Sequence, residues 1–172
     1  MLTTGFDEPT EMAILPNLDI VVVQRKGEVL FYDNKTHKLS DAGKLHVYHK
    51  ATVPNVNAEE GLMGIAADKK KKKNKFVYLY YSPVDSSVNR LSRFVFKDGK
   101  IDLASEKKVL DVYSQRQICC HTGGSITFGP EGLLYLSTGD NSTPFDQPGK
   151  YATHGFAPLD QRVGFEQFDA RR

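Results

Sequence analysis

Hydrophobic and polar positions along this chain alternate in short runs broken by turn residues, a pattern that predicts strands and not helices. Glu11-Met12-Ala13-Ile14-Leu15 leads through the turn Pro16-Asn17-Leu18-Asp19 into the β-branched run Ile20-Val21-Val22-Val23. A Lys26-Gly27 turn and Val29-Leu30-Phe31-Tyr32 follow, which together predict a three-stranded meander. The same order returns at 62–66, a long lysine-rich turn, 76–81 and 91–96, closing at Asp98-Gly99. It returns again at 125–128, the turn Gly129-Pro130-Glu131-Gly132, and 133–137. The last segment, from Pro158 to Arg172, has no strand pattern and predicts a loop without a closing strand.

Placing Ala13, Ile65 and Ile126 in register gives a repeat of roughly 50–60 residues, near the longer end of propeller blade repeats. The units run about 6–50, 51–112 and 113–172. The expected fold class is all-β, a β-propeller, with a sandwich as the competing architecture. The shared order of the units favours the propeller, as do small residues on each first strand, which suit a crowded axis. Propellers close with four to eight blades, so about two and a half to three blades form an incomplete ring. Open edges and half-cores then predict self-association.

Composition narrows the class. Of 172 residues 40% are hydrophobic and 26% charged, enough for a real core and unlike a disordered chain. The net charge is only +2, and the basic excess sits in Lys69-Lys70-Lys71-Lys72-Lys73, a solvated hairpin loop by its position, so no nucleic-acid partner is expected. No apolar run reaches the roughly 18 residues of a membrane span, and the first residues lack the basic and apolar regions of a signal peptide. The two cysteines, Cys119 and Cys120, are adjacent. A vicinal bridge would be strained, because neighbouring Cα atoms lie about 3.8 Å apart against the roughly 4.4–6.8 Å usual for disulfides, so two ordinary thiols are the simpler expectation. No Cys/His cluster has zinc-site spacing.

Most of the candidate chemistry lies in Cys119-Cys120-His121-Thr122-Gly123-Gly124-Ser125-Ile126 and in Gly139-Asp140-Asn141. Two strands joined by a tight turn run antiparallel, which brings His121 and Asp140 to one edge of the sheet. An imidazole held by a carboxylate is a general base for a hydroxyl proton. Each residue also has a plainer role. His121 can be a hydrogen-bonded strand-end histidine, and Asp140 a turn former. Gly123 and Gly124 can give a ligand room or make a bulge. Glu59 and Glu60 can reach the channel or mark a solvated loop, and His154 is most simply a surface-loop histidine.

Two motifs carry a family resemblance. Glu60-Gly61-Leu62-Met63-Gly64-Ile65-Ala66 is similar to a glutamine-x-glycine-leucine-leucine-glycine strand. His121-Thr122-Gly123-Gly124 with Gly139-Asp140 is similar to a histidine-x-x-glycine strand and the glycine-aspartate ending the next one. Both belong to the quinoprotein glucose/sorbosone dehydrogenases, six-bladed propellers that bind pyrroloquinoline quinone (PQQ), and the chain from about Phe6 onward resembles the N-terminal half of that domain. The resemblance implies a PQQ-dependent sugar or polyol dehydrogenase with calcium, periplasmic or extracellular. It makes His121 the base, Asp140 its orienting partner, and Glu59, Gly123 and Gly124 cofactor-side residues. Metal ligands and the cationic quinone clamp are expected largely outside this chain. Three positions depart from the glucose-oxidising members: Glu59 stands for glutamine, Cys120 for an acidic residue and Ser125 for arginine. They mark a variant branch whose substrate need not be glucose. Without the missing clamp, a non-catalytic carbohydrate- or protein-binding propeller and an inactive truncated product are the competing readings.

Overall fold

The computed structural model describes residues 3–51, 58–68, 75–114, 116, 122–130 and 132–139, and the backbone of 164–168. His121, Asp140, Cys119, Cys120, His154 and the run 69–73 lie outside the described residues. Eleven strands and no helix make up the described chain: β1 (Pro9–Ile14), β2 (Ile20–Gln24), β3 (Glu28–Asp33), β4 (Lys38–Lys44), β5 (Leu62–Ala67), β6 (Phe76–Tyr81), β7 (Val88–Lys97), β8 (Lys100–Tyr113), β9 (Ile126–Phe128), β10 (Leu134–Thr138) and β11 (Gly164–Phe168). They form three antiparallel sheets in the orders β1-β2-β3-β4, β5-β6-β7-β8 and β11-β10-β9. The all-β, blade-by-blade architecture of an incomplete propeller is thus as expected.

Two expectations need correction. The predicted three-stranded meander is a four-stranded sheet, because β4 and β8 are added at the outer edge. Their sequences hid them: β8 carries six charged side chains among its residues, KIDLASEKKVLDVY, and is exposed along most of its length. An outer strand has little to bury, so apolar alternation is not required of it. The final segment is not wholly loop, since Gly164–Phe168 pairs with β10 over its whole length. The turn joining β7 to β8 was legible. Asp98 and Gly99 both take positive φ, 52° and 75°, and Lys97 pairs with Lys100 across them, the geometry of a type I′ hairpin.

The first strands of the three sheets stand side by side. Thr10 Oγ1 on β1 donates to the Leu62 carbonyl on β5 at 2.8 Å. A Cβ on Gly64 would lie 2.4 Å from the Gly124 carbonyl oxygen, so only glycine allows the backbones of the second and third sheets to come this close. The expectation of small residues at a crowded axis is met here.

Register corrects the repeat. Ile65 pairs with Leu79 and Ile126 with Leu136, whereas the matching position on β1 is Met12, which pairs with Val22. Ala13 aligns instead with Ala66. β1 and β5 carry the same irregularity at the same place, between Pro9 and Glu11 and between Leu62 and Gly64, which keeps Met12 and not Ala13 level with Ile65. One residue of slip moves a side chain to the other face. Ala13 packs with Ile65 in the core between the first two sheets, together with Val21, Val23, Leu62, Leu79 and Phe94. Ala66 packs with Ile126 in the second core, together with Tyr78, Tyr80, Leu134 and Leu136. Each fully buried aliphatic side chain here contributes roughly 1.5–3 kcal/mol, which makes inter-sheet packing the main term holding the blades together.

Candidate functional site

The starts of β1, β5 and β9 and the ends of β2, β6 and β10 form one end of the three sheets, the mouth of the channel in the expected propeller, and are closed in each sheet by the same backbone bond. Arg25 N–H donates to the Glu8 carbonyl (2.9 Å), Ser82 N–H to Gly61 (2.8 Å) and Gly139 N–H to Thr122 (3.0 Å). These bonds define equivalent positions. The residue before each acceptor is Asp7, Glu60 and His121, and the residue after each donor is Lys26, Pro83 and Asp140. In the first sheet the two flanking side chains meet, with Lys26 Nζ 2.7 Å from Asp7 Oδ2.

Gly123 sits inside the third of these closures at φ +65°, and a Cβ there would stand 2.4 Å from the Gly139 nitrogen. Gly124, at φ +134°, would strike Met63 Cβ at 2.8 Å and Tyr80 Cδ1 at 2.9 Å. Packing alone therefore requires both glycines. Gly123 is nonetheless exposed toward the mouth.

Glu59 is exposed and Glu60 buried, and the stretch that carries them is held by Arg25, a residue with no sequence motif to announce it. Arg25 Nη1 donates to the carbonyls of His49 (2.9 Å), Ala58 (3.2 Å) and Glu60 (3.1 Å), while Nε donates to Glu8 Oε2 at 2.6 Å. Leu62 N–H donates to the Arg25 carbonyl, and a Cβ on Gly61 would lie 2.1 Å from that oxygen. One guanidinium thus ties together His49, Ala58 and Glu60, the last two flanking Glu59. The Arg25 hydrogen bond holds the Glu8 carboxyl below the usual carboxylate range. Burial pushes the Glu60 carboxyl above it, opposed by backbone N–H groups and the charge of Arg116. Arg116 itself donates from Nη2 to the Pro83 and Val88 carbonyls and lies 4.4 Å over the Tyr48 ring.

The glucose/sorbosone dehydrogenase family model matches residues 6–155. The chain belongs to this family. Among solved structures, it is similar to an oxidoreductase of Thermus thermophilus described as a glucose dehydrogenase, with TM-score 0.70 and 27% identity over 81% of this chain and 39% of that one. It is likewise similar to the PQQ-bound aldose sugar dehydrogenase of Streptomyces coelicolor, with TM-score 0.67 and 27% identity over 84% of this chain and 42% of that one. A Synechocystis relative, the uncharacterized protein slr1608, is 29% identical over 144 residues, 81% of this chain and 34% of that protein. The chain is a sugar-dehydrogenase-like domain that spans about a third of the curated relative's length and about two-fifths of the solved structures'. Among the described residues no helix is long and apolar enough to cross a membrane.

A quinone bearing carboxylates needs cations or N–H donors around it. The described mouth offers Glu8, Glu59 and Glu60, with Arg25 committed to Glu8 and three carbonyls and Lys26 to Asp7 and Glu8. Among the described residues no three His, Cys, Asp or Glu side chains are grouped to hold a metal ion. The described residues on their own therefore do not fit PQQ with calcium.

Proposed function

We propose that this chain is part of a PQQ-dependent sugar or polyol dehydrogenase in which His121 accepts the substrate hydroxyl proton and Asp140 orients its ring. The observation that carries this reading is the Lys26–Asp7 pair, 2.7 Å apart at the positions equivalent to Asp140 and His121. A side chain before the acceptor and one after the donor of this backbone closure are within reach of each other in the first sheet. The third sheet repeats the closure through Thr122 and Gly139, with a base and an acid in exchanged order.

In the reaction class proposed, a hydroxyl carbon becomes a carbonyl carbon, its proton goes to His121 and its hydride to a quinone acceptor. PQQ is the candidate because the Streptomyces relative binds it. Clamp and calcium ligands then come from outside the described residues. In this reading the exposed Glu59 meets the substrate or the cofactor edge, and Gly123 and Gly124 leave room for the cofactor. The family resemblance favours a periplasmic or extracellular location.

Replacing His121 by Ala in the complete propeller should lower turnover about 10²–10⁴-fold, the usual worth of a positioned general base, with quinone affinity unchanged. Turnover at the wild-type rate would remove His121 from the mechanism.

A further inference from the structure

A single carboxylate on the first strand joins all three sheets through its two oxygens. Glu11 Oε2 accepts the Ile65 backbone N–H at 2.9 Å, and Oε1 accepts the Ser125 hydroxyl at 2.6 Å. Glu11, Gly64 and Ser125 are the same position of the three first strands, the residue just before Met12, Ile65 and Ile126. The carboxylate fills the space left by the missing side chain of Gly64, where a Cβ would stand 3.1 Å from Oε2. Ile65 N–H faces away from β6, on the channel edge of its sheet, and Glu11 gives it the acceptor that no further strand supplies there. An O–H···O⁻ bond of 2.6 Å is a short, charge-assisted contact and orients both partners.

We propose that Glu11 is a positioning residue for the candidate site: it locks Ser125, and through Gly124 and Gly123 the Thr122 end of the third sheet, to the first two sheets. This rests on the reading of His121 as the base. Ser125 has a second anchor on its own sheet, where its N–H donates to Ser137 Oγ at 3.1 Å and its carbonyl accepts the Ser137 N–H at 2.9 Å. That anchor holds the hairpin together. Among the described residues Glu11 ties the hairpin to both other sheets, through two acceptor oxygens aimed at two different strands.

The test uses the chain as it stands, with Glu11→Ala, Glu11→Gln and Ser125→Ala, read by amide hydrogen exchange and by the imidazole NMR signals of the five histidines. In Glu11→Ala, exchange at Ile65 rises about tenfold and the His121 ring signals move, while those of His37, His46, His49 and His154 stay. Ser125→Ala moves the His121 signals but leaves Ile65 protected. Glu11→Gln keeps one acceptor oxygen and falls between wild type and Glu11→Ala. Unchanged His121 signals in folded Glu11→Ala or Ser125→Ala overturn the proposal, and should Glu11→Ala not fold, Ser125→Ala decides alone. Failure of the catalytic reading shows separately, as wild-type turnover in the complete propeller after His121→Ala.

Discussion

Met12, Ile65 and Ile126 hold the same place on the first strands of three successive sheets, yet Met12 is 59% exposed while Ile65 and Ile126 are 2% and 4% exposed. Ile14, further along β1, is 60% exposed as well. The difference lies in the neighbour. Ile65 is covered by the Ala13 face of the sheet before it and Ile126 by the Ala66 face, whereas no described sheet precedes β1. A blade is thus a repeated unit whose burial is completed by the next one, as in other arrays of repeats. The mouth shows the same contrast: the equivalent residues Arg25, Ser82 and Gly139 are a four-way clamp, a buried serine and a glycine packed against Gly123.

The largest expected effect separates the two faces. Ile65→Ala should cost about 2–5 kcal/mol, through lost transfer energy and a cavity between the sheets. Met12→Ala should stay within about 0.5 kcal/mol, as at other exposed positions. Urea unfolding of both variants measures the gap. A comparable loss for Met12→Ala would break the comparison and mean that the β1 face is covered in solution.

Next in size is Arg25→Ala, which leaves three carbonyls without their shared donor and should cost about 2–3 kcal/mol. Lys44→Ala, which removes an exposed pair with Glu28, should cost less than about 1 kcal/mol. Thermal unfolding distinguishes a clamp from a surface charge, and equal losses would deny Arg25 its special place.

The smallest effect is a pH slope at Glu60, the second sheet's counterpart of Asp7 and His121. Burial raises its folded-state pKa above the ordinary 4.5, so the folded chain holds this proton more tightly than the unfolded one. Its stabilising share is therefore complete below 4.5 and is lost as pH rises through the raised value. Glu60→Gln should remove that loss, so that variant and wild type diverge in the variant's favour from 4.5 toward neutral pH. Parallel urea midpoints across this range would mean that Glu60 is solvated.

The second strands of the first two sheets were legible because they are buried on both faces and carry the densest apolar runs, 20–23 and 76–81. β4 and β8 were not, because an outer strand is held by backbone pairing and shows no apolar alternation to read. β11 was missed for a related reason: Gly164-Phe165-Glu166-Gln167-Phe168 is too short to announce itself, and its pairing partner β10 lies far back in the chain. In the sequence, the histidine, aspartate and glycines stood out as residue types in a known pattern. Arg25 and Glu11 did not, since their partners are backbone groups, a glutamate and a serine 17 to 114 residues away.

By itself the sequence determined that the chain is built of strands and that it repeats as blades, and it supplied the motifs on which the proposed histidine–aspartate site rests. Local alternation, turn residues and motif spacing are properties of neighbouring residues, and neighbours suffice to encode them. Only the tertiary structure decided which face of each first strand is covered, that Met12 and not Ala13 matches Ile65, and that Glu11 and Arg25 tie the sheets together at the channel. Those outcomes depend on strand register and on contacts between strands of different sheets, where the energy of packing and hydrogen bonding is set by whatever the fold brings alongside.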